Sequence, residues 1–161
     1  MNRGEEGKML QFHIVISLIG ILAGLFVLYG MLTNTPSSVW SALFLATTII
    51  TSATGFPLPP FGFDPPRAVG VLSLVLLALA VVALYAFRLV GRWRLVYVVG
   101  AIAALYLNVF VLVAQAFMKL PPLRALAPTQ SEPSFVVAQL IVLAAFVVLG
   151  VLAGFRFRPA T

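Results

Sequence analysis

The sequence holds no cysteine, one histidine and only four acidic residues. Without cysteine there is no disulfide, thiolate nucleophile, iron–sulfur cluster or cysteine-built zinc site. A lone His13 cannot supply both axial ligands of a haem within one chain, and a His-rich metal site is excluded with it; no metal and no cofactor is expected. Charge of either sign is scarce. Asp, Glu, Lys and Arg make up 9% of the 161 residues, against about 25% in an average soluble domain. With 62% hydrophobic residues and a mean hydropathy of +1.13, a soluble globular domain is excluded. So is a disordered chain, which needs low hydrophobicity and high charge. The motifs GxSxG and HExxH are missing, and there is no tandem repeat.

What is there is long apolar runs, each near the 20 residues that cross a hydrocarbon core. Five stand out, at 12–32, 39–56, 68–87, 95–118 and 135–155, and none contains Asp, Glu, Lys or Arg. In lipid the backbone must satisfy its own hydrogen bonds, so each run is expected to be a helix. The expected fold is an all-α membrane bundle of five transmembrane helices in a single domain, 1–161, or of four if 39–56 does not cross. The first run resembles a signal peptide but is too long, and no small-residue cleavage site follows it. The second is short and rich in hydroxyls: Ser41, Thr47, Thr48, Thr51, Ser52 and Thr54.

Nine of the eleven prolines lie in two connections, 57–66 and 119–134. Their fixed φ angles stiffen the chain, so both connections are expected to be ordered caps. With five crossings, the N-terminus and both caps share one side with Arg3, Lys8, Arg67, Lys119 and Arg124. Arg88, Arg92, Arg94, Arg156 and Arg158 share the other, three of them in one short connection. This arginine-rich side is read as cytoplasmic, which puts the N-terminus outside and the C-terminus inside. Tyr29, Trp40, Tyr85, Trp93 and Tyr97 would form an aromatic belt there. The basic residues are orientation signals at helix ends, and nucleic acid is not an expected partner.

Polar residues inside spans are the pointers to a site. His13, Thr51, Asn108, Gln115, Lys119, Gln130 and Gln139 are the candidate ligand-binding residues, converging on the outer side with Asp64 and Glu132 above them. Spacings of seven and four place Asn108, Gln115 and Lys119 on one face of the fourth helix. Set against this is helix glue, since amides and hydroxyls commonly bond between membrane helices at about 0.6 kcal/mol each. Gly20–Gly24 and Gly150–Gly154 match GxxxG, where missing side chains let helices approach. No catalytic residue is assigned.

Two stretches, LFLATTIITSATGFPLPPFGFDPPRAVG from Leu43 to Gly70 and the segment from Asn108 to Gln139 with LAPTQSEPSFVVAQ, together resemble a group of small multi-pass bacterial inner-membrane proteins with no established activity. The resemblance covers the chain from about His13 onward. It implies a bacterial inner-membrane setting and no mechanism. The function expected is that of a non-enzymatic accessory or interaction protein. Its partners would be the lipid bilayer and a membrane protein or a second copy of the chain. The alternatives are a small-solute binder or permease using the outward polar cluster, and a membrane-embedded enzyme with His13 as base.

Overall fold

The structure is a computed structural model and describes residues 3–56 and 65–159. Among these there is no strand. The helices are α1 (Arg3–Thr33), α2 (Ser38–Gly55), α3 (Pro65–Val81), α4 (Trp93–Lys119), α5 (Pro121–Leu126) and α6 (Pro133–Arg156). A single π turn, Val82–Ala86, prolongs α3. All but α5 are long and apolar enough to cross a membrane, α2 included. The protein is an all-α membrane bundle. The proline-rich segment 57–64, with Asp64, lies outside the described residues. The second expected cap is built around α5.

Local chemistry sets the helix ends. α1 stops at Asn34, which takes φ +56°, a left-handed conformation that Asn tolerates. The Thr35 N–H then closes on the Gly30 carbonyl at 2.8 Å, the six-to-one bond of a Schellman cap. Ser37 caps α2 by accepting from the Trp40 N–H. Proline opens both α5 and α6, where its missing N–H costs nothing. The turn from α3 to α4 puts Arg88, Leu89 and Gly91 at positive φ. Leu89 is held there by burial and by donating its N–H to the Ala83 carbonyl at 3.0 Å.

α4 is the hub, packed against α1, α3, α5 and α6, while α2 is clasped between α1 and α3. This explains why the least apolar span lies inside. Ser41, Thr47, Thr48, Thr51 and Ser52 are all buried. A hydroxyl facing lipid without a partner is costly. Thr47 and Thr54 avoid this by donating to the carbonyls of Leu43 (2.7 Å) and Ile50 (2.8 Å), one turn back. Tyr97 is likewise no member of the aromatic belt. It is 2% exposed, and its hydroxyl donates to Ser41 Oγ at 2.9 Å, joining α4 to α2. α6 stands outside the other four long helices. It touches α4 and α1, and only 6% of its apolar window is buried, against 39% for α4.

The two glycine pairs behave differently. A Cβ at Gly20 would meet the Thr47 and Thr48 hydroxyls at 3.1 and 3.2 Å, and one at Gly24 would meet Leu105 at 2.6 Å. These two glycines therefore let α1 close on α2 and α4. A Cβ at Gly150 or Gly154 would sit 3.6 or 3.8 Å from α4 side chains, ordinary contact with no close approach. At Gly100 the approach is to backbone of another helix: a Cβ there would be 2.9 Å from the Leu76 carbonyl of α3.

The chain after α6 turns back under the bundle. Arg94 Nη1 donates to the Gly154 carbonyl at 2.8 Å and also to the Phe157 carbonyl. The Arg158 N–H donates to Asn34 Oδ1 at 2.7 Å. Phe157 is thereby seated among α1, α2 and α4, 1% exposed.

Candidate functional site

The residues singled out from the sequence gather at the end of the bundle where α1 and α6 begin and α2 and α4 finish. They form separate interhelical bonds there. His13 Nδ1 lies 3.0 Å from Thr54 Oγ1, joining α1 to α2. Asn108 donates to Thr48 Oγ1 at 3.4 Å, joining α4 to α2. Gln139 Nε2 donates to the Phe110 carbonyl at 3.1 Å, joining α6 to α4. Gln130 Nε2 donates to the Ala114 carbonyl at 2.7 Å, tying the cap to α4. Gln115 is half-buried. Lys119 is exposed at the end of α4. Two buried oxygens have no partner among the described residues, Thr51 Oγ1 and Gln139 Oε1.

The cap between α4 and α6 is tightly tied. Its carboxylate, Glu132, accepts from the Thr129 N–H (3.1 Å), the Thr129 hydroxyl (3.0 Å) and the Ser131 N–H (3.1 Å). Ser134 donates back to the Leu126 carbonyl at 2.7 Å. Desolvation pushes the Glu132 carboxyl up. The hydrogen bonds it accepts from Thr129, Ser131 and its own N–H outweigh that and leave its pKa below the ordinary value. A lowered folded pKa gives stability that is present above the ordinary carboxylate range and is lost as pH falls through the folded value. Amide exchange at residues 129–132, taken relative to the intrinsic rate at each pH, is therefore expected to quicken as pH falls through the carboxylate range. In Glu132→Gln it should be fast already at neutral pH; an unchanged profile in that variant would refute the assignment.

Glu132 and His13 do not meet. Their partners are the Thr129–Ser131 turn and Thr54 respectively. Asp64, the other carboxylate considered as a partner for His13, lies outside the described residues. No group of three His, Asp or Glu residues able to hold a metal occurs among the described residues.

A groove lies elsewhere, at the opposite end. It measures about 630 Å³ between α4 and α6, running from Arg94 to Tyr106 on one wall and from Leu143 to Phe155 on the other. Apart from Arg94 and Tyr106 its walls are apolar, and Gly150 and Gly154 lie in its floor. Sequence reading assigned those glycines to helix pairing and did not see the groove. On the facing wall α4 presents Leu95, Val98, Val99, Ile102 and Ala103. No protein-family model matches the sequence, and no curated protein or solved structure matches it.

Proposed function

We propose that this chain is a non-enzymatic accessory protein of the bacterial inner membrane, with the N-terminus outside and the C-terminus cytoplasmic. The observation that carries the proposal is the cap over α4 and α6. It is tied down at Gln130, Glu132 and Ser134, yet it holds Leu120 and Leu126 more than half exposed. A fixed surface with exposed large apolar side chains is the usual mark of an interaction site. The polar side chains beneath it support the same reading, because His13, Asn108, Gln130 and Gln139 are engaged in bonds that hold the bundle together. The resemblance to small multi-pass inner-membrane proteins supports the location, and the arginines at the other end support the orientation.

The test is purification with native lipid and its partners. A partner in fixed ratio is expected to co-purify, to stay bound in His13→Ala and Lys119→Ala, and to be lost from Leu120→Asp/Leu126→Asp with helicity unchanged. A monodisperse protein, stabilised instead by a small solute in a manner lost in Gln115→Leu, overturns the proposal in favour of solute binding.

A further inference from the structure

The α4–α6 groove lies at the end opposite the cap, and its chemistry points to a different ligand. Along α4 it runs from Arg94 to Tyr106, twelve residues or about 18 Å at 1.5 Å per residue. One leaflet of the hydrocarbon core is about 15 Å deep, half of about 30 Å. The groove is therefore long enough to span one leaflet. Its volume lies within the range of about 300–1,000 Å³ typical of sites that enclose a small ligand. Only its surface end is charged.

Among the described residues, that end carries cations without Asp or Glu. Arg88, Arg92, Arg94, Arg156 and Arg158 meet there. The chain's four acids, Glu5, Glu6, Asp64 and Glu132, all fall in other segments of the sequence. Arg88, Arg92, Arg156 and Arg158 are exposed. Arg94, a wall residue of the groove, spends Nη1 on the Gly154 and Phe157 carbonyls. A guanidinium has five N–H donors, and those on its Nε and Nη2 have no partner among the described residues. An apolar slot about one leaflet long, ending at guanidinium donors that have no protein partner among the described residues, complements an acyl chain that ends in a phosphate. Fork-shaped guanidinium donors suit phosphate oxygens.

We infer that the α4–α6 groove is a binding site for an anionic phospholipid of the arginine-side leaflet, with an acyl chain along Gly150 and Ile102 and the headgroup phosphate against Arg92, Arg94 and Arg156. The site is independent of the accessory role proposed above and uses none of the cap residues. Charge attracts the lipid to this end of the protein, as anionic headgroups and clustered basic residues do generally. The groove selects for a chain that enters beside α6, which a charged surface alone does not.

The full-length protein would be reconstituted in nanodiscs of equimolar phosphatidylglycerol and phosphatidylcholine, then released and weighed by native mass spectrometry. The unaltered protein is expected to retain phosphatidylglycerol at least tenfold over phosphatidylcholine, with one lipid dominating the bound population. Arg92→Gln/Arg156→Gln should remove most of that preference while the groove remains. Gly150→Phe fills the groove and leaves the charges in place, and it should abolish the retained lipid. Thermal melting checks that both variants fold, and Ala103→Phe provides a second way to fill the groove if Gly150→Phe does not. Equal retention of the two lipids overturns the inference. So does an undiminished preference in a folded groove-filled variant, which would mean a charged rim acting alone. A dimer that Gly150→Phe dissociates also overturns it, assigning the groove to a second copy of the chain.

Discussion

Phe157→Ala is expected to lower the stability of the bundle by about 3 kcal/mol, the lower end of the range for burying and then deleting an aromatic side chain. Phe157 follows the last helical residue, Arg156, and is 1% exposed. Its ring lies 6.1 Å from that of Tyr97 and closes a space also walled by Val27 and Met31. About 10 Å³ stays empty there, at the limit for a single water. Deleting the ring leaves a void that α1, α2 and α4 cannot fill without moving together, because Tyr97 is fixed to Ser41 and Arg94 to the carbonyls of Gly154 and Phe157. Dispersion contacts are lost outright in such a gap, whether the reference state is in water or in lipid. Phe155→Ala is the control. Phe155 is 72% exposed, and its loss is expected to change stability by less than about 0.5 kcal/mol. The measurement is unfolding in mixed micelles, followed by the fluorescence of Trp40 and Trp93. Equal effects in the two variants would mean that the C-terminal segment is not part of the core.

The contrast between these two phenylalanines shows what the sequence conceals. Helix content and number were legible because lipid removes every alternative for an uncharged run of twenty residues. The fate of 39–56 was legible only in part. Its hydroxyls lower its hydropathy, and whether they face lipid or neighbours depends on where α1 and α3 stand, which no local pattern states. Phe155 and Phe157 are alike as letters, both bordering Arg156. Only the carbonyl bonds of Arg94, some sixty residues away in sequence, decide which ring is inside. The polar candidates lie toward one end of the bundle. Their pairing into separate helix contacts depends on side-chain reach, and spacing along one helix does not encode it. Asn108 reaches α2, whereas Gln139 and Gln130 reach α4 carbonyls.

Gly100→Leu is expected to be at least as damaging, at about 3 kcal/mol or more, and for the opposite reason: too much matter. Sequence reading looked for GxxxG and found it on α1 and α6. The close approach to another helix's backbone has Gly100 followed four residues later by Ala104, on the α4 face that meets Ser73, Leu77, Ala80 and Ala83 of α3 and its π turn, all of them buried. In membranes, where apolar surface gains nothing from leaving lipid, close backbone approach is itself the driving interaction. A Cβ at Gly100 would lie 2.9 Å from the Leu76 carbonyl oxygen and 3.4 Å from Ala80 Cβ. A carbonyl in a helix cannot turn aside as a side chain can, so α3 and α4 must separate along their whole contact. Overpacking of this kind costs about 1–3 kcal/mol even where side chains relax, and here the obstacle is backbone. Gly24→Leu should be milder, since its nearest neighbours are the ends of the Leu105 and Phe44 side chains. Gly150→Leu should be near neutral, because its side chain would enter the open groove beside Ile102. The order Gly100, Gly24, Gly150 in thermal or denaturant unfolding is therefore the expected result. If Gly150→Leu proved the most harmful, the α4–α6 contact would be the tight one, and both the groove and the peripheral place of α6 would be wrong.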